Sequence, residues 1–599
     1  MLEQKMIRVN LSERSIKPEV IPMEVVEKYV GGKGLAAYYL YKELQPKEEP
    51  LGAANKLMFF TGPLIGLPAY SRHLVASKSP LTDTFSDSYA GGWFGVELAK
   101  VGYSGIIIEG KADTLVYLRI EDGNLSVENA EHLRGKTTSE TIDYFKDYQV
   151  AAIGPAGERL VRFACIVNGS TKAGRSGVAG RGGLGAVMGS KNLKAIVVKG
   201  REDLIQHVPE TLRDKFRELR REFTEYLKKE VAPGIGLGGN LPVMQMSAGV
   251  KILPVKNFRR GFLEGYEAVD EDAFRKITTR KTTCYLCPLA CGVSIRIDTG
   301  PFSGLELDKI EYETVALNGP NCLQLDKGAI AKICLLCNEY GMDTISVGNI
   351  TSFLMECCEK GAIDYKLDYG DAEGQIKFVE AINRREGLGD LFAEGLKRAA
   401  EKLGLQKYAV HIKGLEIPGY DARGLRAMAL AYATADRGGD HLRAWTVGAE
   451  VAKEILTTEG SIKVTKYLQD RNAALWCLIA CDNIPGNTTG DPMKFVDYSI
   501  DALNVLSWRR FFGRDMDREK FLEIGERIYN LTRLFNLRQG LSRRDDSLPE
   551  RLKEPREDTG WKIDEVDFRT MLDEYYRLRG WDEEGKPTSK TLERLQINL

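Results

Sequence analysis

Three cysteines, Cys284, Cys287 and Cys291, lie within eight residues of one turn-prone segment. Thiolate sulfur is a soft ligand that suits zinc and iron–sulfur clusters, and three thiolates this close are poorly explained by packing. The spacing C-x2-C-x3-C therefore predicts a metal or iron–sulfur centre, and with it a redox protein.

A [4Fe–4S] cluster takes four thiolates, so the trio needs a fourth cysteine from elsewhere in the chain. Cys477 and Cys481 stand four residues apart in an apolar segment that is predicted to be helical, where both side chains share a face. We favour Cys481, because it lies at the predicted helix end, where free backbone amides can bond cluster sulfur. The downstream candidates are Cys322, Cys334, Cys337, Cys357, Cys358, Cys477 and Cys481.

A four-cysteine zinc site is the main alternative, because Cys334 and Cys337 form a second C-x2-C pair. The gap between this pair and the trio far exceeds the usual ribbon spacing. Cys334 and Cys337 also lie on the apolar face of a predicted helix, where thiols behave as small hydrophobic groups. Cys165, Cys357 and Cys358 are interpreted as packing residues too.

Seven glycines, with two arginines and a lysine, are concentrated in residues 173–192. Gly180, Gly182 and Gly185 match G-x-G-x-x-G, but the preceding residues look loop-like and Gly189 interrupts the following helix, so we reject a dinucleotide fingerprint. The glycines predict instead a close approach of backbone amides to a phosphate-bearing ligand. The alternative, which involves no ligand, is that the glycines form a set of tight turns between strands.

A second segment, residues 71–95, contains Arg72 and Lys78, two cations that can bind the same anionic ligand. The Gly32-Lys33 pair is followed by glycine rather than serine or threonine, which excludes a P-loop.

The composition of the 599 residues is that of a globular protein, with 43% hydrophobic and 28% charged residues and a net charge of −1. Nothing in it favours nucleic acid or an anionic membrane surface. No apolar stretch is long enough to span a bilayer, and the N-terminus shows no signal core. The eleven cysteines are an odd number, so we expect a cytoplasmic, reducing environment.

The chain changes character near residue 203, and we predict an α+β fold. Residues 1–203 contain short β-like runs and turn signals, which predicts a mostly β domain with a few helices, one of them after Gly31. Later segments show a 3.6-residue period, as in 326–341 and 521–540. We expect an N-terminal domain (1–203) and two largely helical domains (204–417 and 418–599).

Taken together, the motifs resemble those of the aldehyde ferredoxin oxidoreductase family of tungsten- or molybdenum-pterin enzymes, over nearly the whole chain. Each motif is weak alone, and their order and spacing carry the resemblance. Besides the cysteine trio and residues 179–194, they include Gly31-Gly32-Lys33-Gly34, Ser71-Arg72, Tyr312-Glu313-Thr314, Gly341-Met342-Asp343, Pro418-Gly419-Tyr420, Asp436-Arg437-Gly438 and residues 525–531.

The resemblance implies a bis-pterin tungsten or molybdenum cofactor on an N-terminal β base, covered by two helical domains and flanked by a [4Fe–4S] cluster. It implies a magnesium ion bridging the pterins, and ferredoxin or an iron–sulfur subunit as electron partner. By matching positions, Cys284, Cys287, Cys291 and Cys481 would bind the cluster. The pterin contacts would be Arg72, Gly91, Arg181, Gly182 and Asp343.

Two positions depart from the family pattern. Trp476 stands five residues before the last cluster cysteine, where the family has an acidic pterin-binding residue, and Tyr89 replaces the usual asparagine before Gly91. These departures bear on the pterin and magnesium contacts.

The resemblance assigns catalysis to Glu313, Tyr420 and His441. Glu313 would deprotonate water or the hydrated substrate, His441 would donate a hydrogen bond to the substrate oxygen, and Tyr420 would assist. The alternatives are that Glu313 or its neighbour Glu311 is a solvated surface charge, that His441 is structural and that Tyr420 packs in a turn.

We therefore expect an enzyme that oxidises aldehydes to carboxylic acids. Within the same fold, the alternative is a catalytic subunit of a larger complex that reduces a low-potential aromatic thioester or acid. From a different class, the alternative is a non-catalytic iron–sulfur or zinc protein.

Overall fold

The computed structural model describes residues 4–171, 174–201, 203–235, 239–454, 457–485, 491 and 493–598. Two mixed sheets occupy the N-terminal third, and helices dominate the rest of the described chain. The predicted α+β class is confirmed.

The first sheet contains six strands in the order β2-β1-β6-β3-β4-β5, and only β1 and β6 run parallel. Its central strands are buried on both faces, which explains their continuous apolar runs. The strands are β1 (Lys5–Asn10), β2 (Ser15–Val20), β3 (Leu57–Phe60), β4 (His73–Lys78), β5 (Phe85–Ala90) and β6 (Gly105–Glu109).

The second sheet has the order β11-β10-β9-β12-β7-β8, with β7 and β12 parallel. The glycine segment begins with its edge strand β11, so the expectation of a loop before Gly180 was wrong for residues 174–179. Close packing explains one glycine here, since a Cβ at Gly177 would lie 2.2 Å from Asn168 Oδ1. Residue 173 of that segment lies outside the described residues. The strands are β7 (Val116–Glu121), β8 (Asn124–Asn129), β9 (Gln149–Ala152), β10 (Ile166–Ser170), β11 (Gly174–Ala179) and β12 (Leu193–Lys199).

Short helices connect these strands. The helix predicted after Gly31 is present as α2, and it begins at Gly32. The helices are α1 (Met23–Tyr29), α2 (Gly32–Glu43), α3 (Phe94–Lys100), α4 (Thr138–Tyr144), α5 (Pro155–Glu158) and α6 (Leu184–Ser190).

The middle of the chain is helical, with a small antiparallel sheet β13-β14-β15 that carries the cysteine trio in the loop after β13. The helix predicted over 326–341 is confirmed as α11, which ends against Gly341 in the left-handed conformation. The elements are α7 (Arg213–Tyr226), α8 (Val243–Gly249), α9 (Glu271–Arg275), β13 (Thr278–Thr282), β14 (Gly292–Arg296), β15 (Glu306–Leu307), α10 (Tyr312–Asn318), α11 (Lys327–Tyr340), α12 (Thr344–Glu359), α13 (Ala372–Arg384), α14 (Leu388–Ala393), α15 (Leu396–Leu403), β16 (His411–Ile412) and β17 (Leu415–Glu416).

The C-terminal part contains the long helices α18 and α21. The helix predicted over 521–540 is confirmed as α21, capped by left-handed Gly540. The elements are α16 (Arg426–Thr434), α17 (Val447–Val451), α18 (Thr458–Cys477), α19 (Met493–Leu503), α20 (Arg509–Phe512), α21 (Arg518–Gln539), α22 (Glu550–Lys553), α23 (Glu565–Arg579) and α24 (Ser589–Arg594). No helix in the described ranges is both long and apolar enough to cross a bilayer.

Helices α2, α18 and α21 join the first sheet to the C-terminal part through one apolar core, which includes Leu35, Phe60, Leu475 and Ile528. The two long helices approach closely at a glycine, because a Cβ at Gly525 would lie 1.9 Å from the Asp470 carbonyl oxygen. This packing fixes the end of α18, and therefore Cys481, against the first sheet.

Candidate active site

A cavity of about 300 Å³ lies where the two sheets meet the helical part of the chain, and it is open to solvent on one side. Most of the residues singled out from the sequence line it. They are Arg72, Gly91, Arg181, Cys284, Cys287, Cys291, Glu313, Asp343, His441 and Cys481. The cavity therefore brings together residues that are up to 409 positions apart.

The cysteine trio lies in the loop between β13 and β14, whose antiparallel pairing fixes both ends of the loop. Thr283 Oγ1 donates a hydrogen bond to the Cys287 carbonyl oxygen at 2.6 Å, and this bond closes the turn. Leu286 and Ala290 adopt left-handed backbone with φ of 53° and 44°. Such strain concentrates at functional sites, and here it turns the thiols toward one cavity.

The structure distinguishes Cys481 from Cys477. Helix α18 ends at Cys477, so the two cysteines do not share a helix face as the sequence predicted. Cys477 is buried and donates from its thiol to the Ala473 carbonyl oxygen at 3.1 Å. Cys481 follows the helix, is held by a hydrogen bond from its amide to the Ala69 carbonyl oxygen at 3.0 Å, and lines the cavity with the trio.

The remaining cysteines lie apart from this group, although Cys334 lines another part of the cavity wall. Cys165, Cys322, Cys337 and Cys357 are buried in apolar surroundings. Within the described ranges, no three His, Cys, Asp or Glu side chains converge on a single metal ion. Cys337 is buried away from the cavity, so the trio and the Cys334–Cys337 pair do not line it together.

Burial makes the thiols around the cavity costly to ionise without a metal. It raises the pKa of Cys287 to about 12 and the pKa of Cys481 to about 11. Two hydrogen-bond donors face the thiols, because the Gly92 amide lies 3.3 Å from Cys284 Sγ and Asn483 Nδ2 lies 4.0 Å from Cys291 Sγ. Iron would deprotonate such thiols outright.

Arg72 lines the cavity close to the cysteine thiols. Its Nη1 pairs with Asp482 Oδ2 at 2.8 Å, while its buried Nε has no partner among the described residues. Gly91 lies beside it, and a Cβ there would come within 2.9 Å of Cys284 Sγ. An arginine with a free buried donor, next to a wall without side chains, suits a large anionic ligand.

Arg181 and Asp343 form a second polar group on the cavity wall, with Arg181 Nε 3.2 Å from Asp343 Oδ2. Asp343 also caps helix α12 by accepting from the Ile345 amide at 3.0 Å. Gly182 follows Arg181 with φ of 86°, and a Cβ there would lie 2.0 Å from Ser86 Oγ. Gly182 is buried and does not line the cavity. Its backbone conformation instead sets the direction of the chain next to Arg181.

Glu313 lies in the first turn of α10, and its side chain is buried at the cavity wall. Oε2 accepts a hydrogen bond from the Gly419 amide at 2.7 Å, while Oε1 has no partner among the described residues. Burial raises the pKa of Glu313 to about 8. The carboxyl therefore combines a fixed orientation with an affinity for protons near neutral pH, as a general base needs.

His441 faces Glu313, with Nε2 3.5 Å from Glu313 Oε1 and Nδ1 3.7 Å from Asp440 Oδ1. Burial lowers the pKa of His441 to about 4, so the ring is neutral at physiological pH. Asp440 is itself fixed by Arg437, whose Nε lies 2.8 Å from Asp440 Oδ2. The neutral ring is placed to donate one hydrogen bond into the cavity.

Tyr420 lies behind His441, with ring centroids 5.6 Å apart, and it is outside the lining residues. Its ring also contacts Tyr312 and Trp445. The structure thus brings Glu313 and His441 to the cavity, whereas Tyr420 supports the histidine from the protein side.

Sequence reasoning missed several residues of this site. Glu311 lines the cavity and pairs with Lys309 at 2.6 Å, so it is not simply a solvated surface charge. Arg437 also lines the cavity. Its place in the Asp436-Arg437-Gly438 motif, four residues before His441, is the signal that pointed to it.

A buried ionic network lies beneath this wall. Lys33 Nζ is 3.1 Å from Asp87 and 2.7 Å from Asp436, and Arg443 bonds the same two carboxylates. The glycines flanking Lys33 explain its position, because a Cβ at Gly32 would lie 2.3 Å from the Trp476 carbonyl oxygen. The glycine motif therefore docks α2 on the end of α18 and directs the lysine inward.

Two family models match the chain and together cover most of it. Residues 6–200 match "Aldehyde ferredoxin oxidoreductase, N-terminal domain", and residues 218–597 match "Aldehyde ferredoxin oxidoreductase, domains 2 & 3".

Individual relatives agree. A tungsten-containing aldehyde ferredoxin oxidoreductase of Pyrococcus furiosus is 38% identical, with 99% of this chain and 98% of the relative aligned. The WOR-like subunit of an aliphatic sulfonate oxidoreductase from the same organism is 30% identical over 99% of this chain and 96% of its own length. Among solved structures, the active-site complex BamBC of benzoyl coenzyme A reductase contains a similar chain, with a TM-score of 0.83, 25% identity and coverage of 99% and 97%.

Proposed function

The chain belongs to the aldehyde ferredoxin oxidoreductase family, and we propose that it oxidises aldehydes to carboxylic acids with a tungsten- or molybdenum-pterin cofactor and a [4Fe–4S] cluster. The chain is an oxidoreductase by its family. The observation that carries the specific proposal is the shared cavity, which joins four thiols to the Glu313–His441 pair.

The residues present fit an iron–sulfur cluster. Cys284, Cys287, Cys291 and Cys481 line one cavity, and all four are partly accessible from it. Binding to iron would offset the free-energy cost of ionising four partly buried thiols. Hydrogen bonds from amides to the sulfur atoms would tune the reduction potential of the cluster.

The residues also fit a large anionic cofactor. Gly180 lines the cavity, and a Cβ there would meet only Val178 Cγ1, at 3.8 Å, so this wall is open to a ligand. Arg72 Nε is a buried donor with no partner in the described part of the chain, and Arg181 supplies a second cation. Arg72, Gly91, Arg181, Gly182 and Asp343 would hold or support the pterins, and a bridging magnesium ion belongs to the same proposal.

When bound, the metal accepts two electrons from the substrate. The protein's own part is the transfer of protons: aldehyde and water give a carboxylic acid, two electrons and two protons. Glu313 Oε1, which has no hydrogen-bond partner among the described residues, takes a proton from the attacking water. A hydrogen bond from His441 to the carbonyl oxygen stabilises the charge that develops there.

Electrons would leave through the cluster to ferredoxin or to an iron–sulfur subunit. Support comes from the loop that carries the trio, because Leu286, between Cys284 and Cys287, is 47% exposed. An exposed apolar residue in the cysteine loop offers a contact for a docked partner close to the cluster ligands.

A second candidate is the reduction of a low-potential aromatic thioester or acid within a larger complex. The similarity to the chain in the benzoyl coenzyme A reductase complex favours it, although the identity to that chain is 25% against 38% to the aldehyde enzyme.

Anaerobically purified protein, assayed with a panel of aldehydes and a viologen dye, tests the proposal. Dye reduction that depends on aldehyde is the expected result. Dye oxidation by an aromatic thioester, without any aldehyde activity, would favour the second candidate and contradict the first.

A further inference from the structure

The sequence resemblance singled out Tyr89 and Trp476 as departures on the pterin side, and the structure brings these two residues into contact. Their rings stack with centroids 5.1 Å apart and planes inclined at 27°. Tyr89 comes from β5 and Trp476 from the last turn of α18, so the contact spans 387 positions. The two rings therefore form one local contact between β5 and the end of α18.

The hydroxyl of Tyr89 is engaged within the protein. It donates to Asp87 Oδ2 at 2.5 Å. Asp87 also binds Lys33 and Arg443, both of them buried. Because the hydroxyl is held on this network, Tyr89 offers a ligand its ring rather than a polar group.

Trp476 is locked in the same way. Its indole N–H donates to Asp482 Oδ1 at 2.5 Å, and Asp482 in turn pairs with Arg72 at 2.8 Å. The Arg443 guanidinium lies 4.5 Å from the centre of the indole ring. Trp476 is only 2% exposed, so it acts as a fixed backing for Tyr89.

Only the tyrosine lines the cavity, next to Ser88 and Gly91, while the tryptophan lies behind it. Other parts of the lining carry buried polar atoms without a partner among the described residues, such as Arg72 Nε and Glu313 Oε1. One wall of the cavity can therefore bind a ligand through hydrogen bonds, and another wall presents an aromatic ring.

We propose that Tyr89 binds one of the two pterins by ring contact, and that Trp476 positions the tyrosine ring. The inference rests on the proposed function, because it assumes a pterin in the cavity. Flat heteroaromatic rings stack on tyrosine without needing a hydrogen-bond partner. Proteins that bind single-stranded nucleic acids use the same contact, which accepts any base because every base has a flat face.

The test compares Tyr89→Leu with Tyr89→Phe and with Tyr117→Leu. Tyr89→Phe keeps the ring and removes the bond to Asp87. Tyr117 is a matched control, since it is also partly buried and contacts the Phe145 ring at 4.8 Å, but lies away from the cavity. Pterin per chain is measured after anaerobic gel filtration as the fluorescent oxidation product, together with iron, labile sulfide and the melting temperature.

Tyr89→Leu is expected to lower the retained pterin by at least roughly fivefold while iron stays unchanged, in line with the strength of ring stacking. Tyr89→Phe and Tyr117→Leu are expected to retain wild-type pterin. Retention of full pterin by a folded Tyr89→Leu protein would overturn the inference, and so would an equal loss in Tyr89→Phe.

If Tyr89→Leu loses iron as well, the same measurements are made on Tyr89→Met. Methionine fills the space of the tyrosine ring with a flexible side chain and so is expected to disturb the fold less. Loss of pterin alone in that variant supports the inference, and full retention overturns it. Failure of the proposed cofactor assignment is distinguishable, because wild-type protein would then contain no pterin at all, and failure of aldehyde oxidation alone shows in the dye assay of the wild-type protein.

Discussion

Glu313 Oε1 lies 3.5 Å from His441 Nε2 across the cavity wall, and neither Glu313 Oε1 nor His441 Nδ1 has a hydrogen-bond partner among the described residues. Each residue is fixed from the other side, Glu313 by the Gly419 amide and His441 by the Tyr420 ring. A substrate or water that reaches this pair from the cavity would satisfy Glu313 Oε1.

The first prediction concerns Glu313→Gln. The variant keeps the hydrogen bond from Gly419 but cannot accept a proton, so kcat for aldehyde oxidation should fall by roughly 10²- to 10⁴-fold. Steady-state assays with a viologen dye measure this, and iron content verifies that the variant is assembled. Glu311→Gln is the matched control, because Glu311 lines the cavity but pairs with Lys309, and its loss should be much smaller. An equal loss in both variants would refute a specific role for Glu313.

The second prediction is a pH dependence that follows from burial of the same carboxyl. Because the pKa of Glu313 is raised to about 8, the group is protonated below that pH and cannot act as a base. Aldehyde oxidation should therefore rise about tenfold per pH unit up to about pH 8 and then level off. Reduction of a carboxylic acid uses the protonated group, so it should show the opposite slope. A flat profile between pH 6 and 9 would contradict this assignment.

The third prediction separates two cysteines that are four residues apart. Cys481→Ser should abolish the cluster absorbance and lower the iron content, because the thiol lines the cavity with the trio. Cys477→Ser should keep both, since Cys477 is buried and bonds the Ala473 carbonyl oxygen. The reverse pattern would show that the fourth ligand has been misassigned.

The fourth prediction concerns the buried network under the cavity. Lys33→Met removes a fully buried cation that lies 2.7 Å from Asp436, and breaking a buried pair costs about 3–5 kcal/mol of unfolding free energy. The thermal inactivation half-life should shorten markedly. Lys377→Met removes an exposed partner of Glu373 and should leave the half-life unchanged. Indistinguishable half-lives for the two variants would mean that the network is not stabilising.

Local patterns predicted much of this fold from sequence. Helix α11 ends at Gly341 as predicted, because a left-handed glycine stops a helix through backbone sterics alone. The change from short strands to helices near residue 203 was also predictable, because apolar side chains recur every two residues in a strand and about every 3.6 residues in a helix.

Contacts between distant segments were harder to predict. Nothing near Cys481 shows that α18 ends four residues earlier, since that depends on how the glycines around Lys33 dock against it. The stacking of Tyr89 on Trp476 and the pairing of Glu311 with Lys309 depend on tertiary packing as well. Strand β11 was missed because its glycines are needed for close approach rather than for turns.

Metal and pterin analysis of anaerobically purified protein tests the central claim most directly. The account predicts about one tungsten or molybdenum atom and about four iron atoms per chain, together with pterin. Protein that contains zinc, or iron without tungsten, molybdenum or pterin, would contradict it.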